Sequence, residues 1–205
     1  MKHKMSFFVR GFALIIVSFV CILSVYFNSS NNLALSKKIN NNLENMLYLE
    51  TIHGRIVIKM LPDVAPEHVK RIKELVKNKF YDGVPFHRVI KDFMVQTGDP
   101  TGTGMGGSGV KLKAEFTKKY SHKEGVVSMA RANDINSADS QFFIVLKDSP
   151  SLDEQYTIWG YVVEGMNVVK KIKIGNEKNN GIVKNPDVIL KLSMASDVED
   201  KNSKS

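Results

Sequence analysis

Phe86-His87-Arg88-Val89-Ile90-Lys91-Asp92-Phe93-Met94-Val95-Gln96-Thr97-Gly98-Asp99 decides how this chain is read. Two strand-length segments lie in it, Pro85 to Ile90 and Phe93 to Thr97. Side chains alternate across a strand, so Met94 and Gln96 share one face while Phe93 and Val95 share the other. His87 and Arg88 likewise face opposite ways. Further on, Gln141, Phe143 and Val145 share a face opposite Phe142, Ile144 and Leu146. A surface site can therefore be assembled from Arg88, Met94, Gln96, Gln141 and Phe143, leaving Phe142, Ile144 and Leu146 for a core.

Upstream, Leu47 to Ile52 and Arg55 to Leu61 read as strands of a hairpin turning at His53-Gly54. Ile56, Ile58 and Met60 fall on one face, Arg55, Val57 and Lys59 on the other. Pro66 occupies a favoured first helical position, and Val69, Ile72 and Val76 form the apolar stripe of a helix ending at Asn78. Downstream, strands are expected at Val126 to Ala130, Gln141 to Leu146, Thr157 to Val162 and Val188 to Met194. A second helix fits Gly165 to Ile174. Many short strands and only two helices argue a mainly β fold, a closed antiparallel barrel. Trp159 reads as core, and the polar stretch 196–205 as a disordered tail.

The chain has 205 residues, 43% hydrophobic and 24% charged, enough for one globular domain plus tails. Cys21 is the single cysteine, which excludes an intramolecular disulfide. Net charge is +8. Lys2, Lys4, Arg10, Lys37 and Lys38 stand against Glu44 in the first 45 residues, and the rest is dispersed. That distribution suits a solvated surface. No basic stripe interleaved with exposed aromatics suggests nucleic acid. Lys2, Lys4 and Arg10 precede the apolar run 11–27, the pattern of an export signal or membrane anchor over residues 1–27. A cleaved signal and an uncleaved tether both fit. No small-x-small cleavage site is clear, and the reading leans to the uncleaved form. Positive charges at the start would stay cytoplasmic and place the domain outside. Residues 28–45 then read as a polar linker and 46–195 as the domain.

Two motifs mislead. Gly102-Thr103-Gly104-Met105-Gly106-Gly107 matches G-x-G-x-x-G, but a strand-like Val110-Lys111-Leu112-Lys113 follows instead of a helix. Gly104 to Gly109 approaches a phosphate loop, but Val110 stands where its lysine belongs. The run therefore reads as a long, flexible surface loop. The five histidines show no metal-ligand spacing. His87 reads as a satisfied structural histidine rather than a base.

The opening stretch resembles the cyclophilin signature F-H-R-x-I-x-x-F-M-x-Q-x-G-D. Two further blocks follow in the family's order, Gly125-Val126-Val127-Ser128-Met129-Ala130-Arg131-Ala132 and Ser140-Gln141-Phe142-Phe143-Ile144. Phe80-Tyr81-Asp82-Gly83 and Asp99-Pro100-Thr101-Gly102-Thr103-Gly104 are similar to small bacterial-type members. The likeness spans Leu47 to Met194. It implies an eight-stranded closed antiparallel barrel capped by two α-helices, and a peptidyl-prolyl cis/trans isomerase acting on proline-containing polypeptides, with no cofactor or metal.

By that resemblance Arg88, Gln96 and Phe93 are catalytic. Met94, Ala130, Arg131, Gln141, Phe143, Leu152 and Tyr156 bind substrate. Phe93, Met94, Phe143 and Leu152 would form a slot for the proline ring, with the backbone at Arg131 holding the preceding residue. Alternation alone would place Phe93 in the core, so its role rests on the resemblance. Two positions depart from the best-known members, which carry tryptophan where this chain has Ser151 and histidine where it has Tyr156. That tryptophan donates a hydrogen bond to cyclosporin, so weak cyclosporin binding is expected. A monomer is expected too. The same residues would also suit a proline-segment binding or chaperone module of low turnover; retention of Arg88 and Gln96 favours the enzyme.

Overall fold

Met46–Thr51 (β1) and Gly54–Met60 (β2) pair antiparallel around a two-residue turn. They begin the ordered part of a computed structural model that describes residues 42–202. The expected signal or anchor 1–27 and linker residues 28–41 lie outside the described residues. Asn45 already belongs to the domain: its carbonyl accepts from Met60 N at 2.8 Å and its Oδ1 from Lys73 at 2.9 Å.

Six more strands follow: Arg88–Ile90 (β3), Met94–Thr97 (β4), Val126–Met129 (β5), Phe142–Val145 (β6), Ile158–Glu164 (β7) and Lys191–Met194 (β8). They form one eight-stranded sheet in the order β3-β4-β6-β5-β7-β2-β1-β8, with every pair antiparallel. Expected strands appear in place, mostly trimmed by a residue or more. The sheet curls but does not close. Among the described residues β3 and β8 are not paired with each other. Irregular chain fills the seam instead: Val183 N donates to the His87 carbonyl, Phe86 N to Asp187, and Ile189 N to Val84. The expectation of a closed barrel is corrected accordingly.

Alternation in the strands sorts apolar side chains into two clusters. Ile56, Ile58, Met60, Val95, Phe142, Ile144 and Trp159 turn inward and form the main core. Phe142 meets Trp159 edge to face, ring centroids 5.5 Å apart. Met94, Phe143, Val145 and Ile158 turn to the other side of the sheet and build a smaller cluster. Both are buried, so this sheet carries hydrophobic side chains on both faces, and the second set is what a site can be built on.

Helix α1 spans Pro66–Lys77 and buries His68, Val69, Ile72, Leu75 and Val76. Ala65 at its N-cap has no side-chain oxygen to receive the first N–H groups. Glu115 supplies them from a distant loop, accepting from Glu67 N (3.2 Å), His68 N (3.1 Å) and His68 Nδ1 (2.6 Å). The second helix, α2, covers only Met166–Val169. It stops short of Ile174 because the chain is drawn to the β3 edge, where Lys173 N donates to Asp187 Oδ2 and Gly175 N to the Val89 carbonyl. A third helix, α3 (Ala195–Asn202), occupies most of the stretch expected as a disordered tail, whose last residues 203–205 lie outside the described residues. Ala195 is fully buried, Asp197 lies in the first turn where negative charge suits the helix dipole, and Tyr48 donates to Glu199 Oε1 at 3.2 Å.

Candidate active site

Register aligns the central residues. Arg88 on β3 lies opposite Gln96 on β4, and Gln96 lies opposite Phe143 on β6. Two residues along, Ile90, Met94 and Val145 form a second row on the same face. Cross-strand neighbours in such rows have Cβ atoms about 4.5–5.5 Å apart, close enough for their side chains to interlock.

A chain of hydrogen bonds runs along the first row. Arg88 Nη1 donates to Gln96 Oε1 at 3.1 Å, and Gln96 Nε2 to Gln141 Oε1 at 2.9 Å. Gln141 Nε2 then donates to the carbonyls of Gly104 (3.0 Å) and Gly106 (2.8 Å). Both amides thus have their orientation set by their neighbours, and the guanidinium is connected to the glycine-rich loop. The opposite edge of the guanidinium turns to Asn180: Nε donates to its carbonyl at 3.0 Å and Nη2 to its Oδ1 at 2.9 Å. Burial lowers the Arg88 pKa from its ordinary value, with Tyr156 opposing. An arginine stays charged through such a change at neutral pH.

Beside this polar row lies an apolar slot. Met94 and Phe143 are buried at its base, with Phe93, Ala130, Leu152 and Tyr156 packed against them and partly exposed. Phe93 sits in the β3–β4 turn, just ahead of β4 and next to Asp92, whose φ is +54°. Strand alternation does not extend to it, which is why it reaches the slot instead of the core. Tyr156 meets Phe143 edge to face at 5.4 Å, and the Arg131 guanidinium lies 4.9 Å above the Tyr156 ring. Arg131 is pinned through its side chain, Nε donating to the Gln155 carbonyl and Nη1 to that of Ala132, both at 2.9 Å.

His122 supports the slot from beneath, stacked on Phe143 at 6.2 Å and edge-on to Tyr156 at 6.5 Å. Its Nδ1 is 2.8 Å from Asp153 Oδ1 and its Nε2 is 2.9 Å from Ser128 Oγ. Burial pushes the His122 pKa below its usual value against the pull of Asp153.

Nine of the ten predicted site residues line one cleft of about 540 Å³; Gln141 stands behind Gln96 and borders an adjoining hollow of about 360 Å³. The cleft also contains residues the sequence reading did not assign: His87, Asn180, Ile182 and the loop residues 102–105. His87 is 5% exposed and sits in the cleft wall with neither ring nitrogen in a well-formed hydrogen bond within the protein. Burial depresses its pKa, with Asp99 pulling the other way.

The glycine-rich loop is not the loose segment expected from composition. Asp99, fully buried, accepts from Thr101 N and Thr101 Oγ1 (2.8 Å each), Gly104 N (2.6 Å) and Gly106 N (3.1 Å). Asp139 accepts from Ser108 N, Ser108 Oγ and Gly109 N. A Cβ at Gly106 would run into the Asp99 carboxylate, so the wrapping requires glycine there. Burial alone would raise the Asp99 pKa; the bonds from Thr101, Gly106 and Gly104 overcome it and bring it down to about 2. Ser151, by contrast, is exposed on the Pro150–Leu152 turn and does not line the cleft.

An arginine fork is thus braced beside an apolar slot on the outer face of an eight-stranded antiparallel sheet. Residues 46–194 match the family model for cyclophilin type peptidyl-prolyl cis-trans isomerase, and the chain belongs to that family. It is a peptidyl-prolyl cis-trans isomerase. A probable peptidyl-prolyl cis-trans isomerase of Brucella suis biovar 1 (strain 1330) is 46% identical over 168 residues, covering 76% of this chain and 85% of the relative. The peptidyl-prolyl cis-trans isomerase-like 1 of Rhizopus delemar is 48% identical over 128 residues, covering 60% and 77%. The crystal structure of cyclophilin AquaCyp293 from Hirschia baltica superposes with a TM-score of 0.67 at 29% identity, covering 76% of this chain and 75% of that one. A cyclophilin type isomerase of Cryptosporidium parvum, solved in the presence of the dipeptide Ala-Pro, gives 0.66 at 27%, covering 73% and 98%.

Proposed function

We propose that the cleft accelerates rotation about X–Pro bonds by donating an Arg88 N–H to the twisted amide. The planar amide resists rotation by about 18–20 kcal/mol because its C–N bond has partial double-bond character. In the twisted state the proline nitrogen becomes pyramidal and regains a lone pair. A donor fixed on that nitrogen binds the twisted state more strongly than either planar isomer, which is what lowers the barrier. The observation that carries this reading is the braced Arg88 fork bordering the slot. Phe93, Met94, Phe143 and Leu152 hold the proline ring, Tyr156 walls the far side, Ala130 leaves room for the chain, and the main chain of Arg131 takes the residue before proline. Gln96 and Gln141 keep the fork in place. No bond is broken, so no nucleophile or cofactor enters the step.

A peptide-isomerisation assay on Arg88→Ala tests the assignment. The expected loss in kcat/KM is about 100- to 1000-fold, roughly 3–4 kcal/mol, as for other preorganised donors. Near-normal turnover would overturn it.

The sequence also supports an address. Lys2, Lys4 and Arg10 before the apolar run 11–27 support export, with the domain outside the cytoplasm and residues 11–27 as signal or tether. There the enzyme would assist folding of proline-containing polypeptides as a monomer. Ser151, exposed and away from the cleft, supports weak cyclosporin binding.

A further inference from the structure

The segment after α2 returns to the β3 edge as a tight loop. Gly175 N donates to the Val89 carbonyl at 3.0 Å, Val89 N to that of Gly181 at 2.8 Å, and Val183 N to that of His87 at 3.0 Å. Within the loop, Asn176 accepts at its carbonyl from Gly181 N at 2.9 Å and at its Oδ1 from Lys178 N at 3.0 Å. Gly181 seats the loop: a Cβ there would meet Ile90 and the Val89 carbonyl. Asn180, just before it, has φ +49° and ψ +34°, a left-handed conformation that asparagine tolerates better than most residues.

That conformation turns two oxygens of one residue to the same side. The Asn180 carbonyl takes Arg88 Nε–H and its Oδ1 takes an Nη2–H, so one residue grips the side edge of the guanidinium with two bonds. Gln96 takes an Nη1–H. A guanidinium has five N–H groups, so one remains on each terminal nitrogen. With only Gln96 in place the planar group could still pivot about its Cγ–Cδ and Cδ–Nε bonds. The grip on the other edge removes that freedom.

We propose that Asn180 is a positioning residue for the isomerisation, clamping the side edge of Arg88 so that its two remaining N–H groups face the slot. This rests on the reading of Arg88 as the donor. The pre-set geometry acts when the amide twists, so its loss lowers kcat and leaves proline binding to the apolar slot.

The test is a double-mutant cycle in the full chain, using a proline peptide in the isomerisation assay. Asn180→Gly keeps the left-handed backbone and its carbonyl but loses Oδ1. It is expected to lower kcat about five- to tenfold, with KM within about twofold and an unchanged melting temperature. Asn180→Asp restores an oxygen at the same reach and should recover to within about threefold of the parent. In an Arg88→Lys chain, which has no fork to grip, Asn180→Gly should change kcat less than about twofold. No loss from Asn180→Gly, an equal loss in both backgrounds, or an aspartate variant as slow as the glycine one would overturn the proposal. Full activity of Arg88→Lys would show that no fork needs gripping and would also overturn the clamp, whereas near-normal turnover of Arg88→Ala would bring down the donor assignment itself.

Discussion

On one side of the cleft, Arg88, Gln96 and Phe143 stand in line because three strands are in register. On the other, residues 102–105 stand where they do because one buried carboxylate gathers the N–H groups of Thr101, Gly104 and Gly106. The first side is held by many small, repeated terms: ladder hydrogen bonds and cross-strand packing. The second is concentrated in Asp99 and Asp139. Removing one side chain from the strand wall should therefore alter chemistry and spare the fold, whereas removing one carboxylate should loosen a whole loop. Gln141 couples the two sides, since it accepts from Gln96 and donates to Gly104 and Gly106.

This contrast can be broken or sharpened stepwise. The largest effect is the loss of turnover on Arg88→Ala, which should leave stability within about 0.5 kcal/mol, read by denaturant melting. Asp99→Asn keeps the shape but leaves one acceptor oxygen for the donors now shared by two. It should cost about 1–3 kcal/mol of stability and slow the enzyme as well; an unchanged midpoint would show that the loop does not depend on the carboxylate. Gln96→Ala cuts the relay without touching the loop's own bonds and should lower kcat/KM roughly tenfold, about 1.4 kcal/mol. Acid offers a reversible version of the Asp99 test. The folded carboxyl lies at about 2, below its ordinary 3.8, so its stabilisation is complete above the ordinary value, shrinks as pH falls, and is gone below about 2. The Gly104 and Gly106 amide resonances should titrate with a midpoint near 2; a midpoint near the ordinary value would mean the loop is not held this way. The smallest effect belongs to the rim: Tyr156→Phe keeps the ring against Phe143 and should shift stability by no more than about 0.5 kcal/mol.

How far the sequence could be read follows the same division. Period-two alternation placed Met94, Gln96 and Phe143 on one face and Phe142 and Ile144 on the other, because strand geometry is local and repeats. The hairpin and α1 were legible for the same reason. The residues that only distant partners organise were not. Asp139 holds Ser108 and Gly109 from some thirty positions away, and nothing in the glycine run announces it. Asn180 lies in a lysine- and asparagine-rich stretch with no periodicity, and its value comes from a left-handed turn that faces Arg88. Phe93 was placed by family likeness because the turn at Asp92 ends the alternation. α2 was read too long, since its apolar spacing continues past Val169 while the β3 edge draws the chain away.

The pairing of the first strand with the last has one more consequence. β1 lies between β2 and β8, with Leu47 opposite Met194, so the sheet is completed only by the final segment of the domain. Contacts this far apart in sequence carry a loop-closure entropy that must be met before they contribute, which makes such topologies slow to fold. During synthesis, Arg88, Gln96 and Phe143 emerge well before the Asn180 loop and β8. A nascent chain therefore has its fork before it has the loop that grips it.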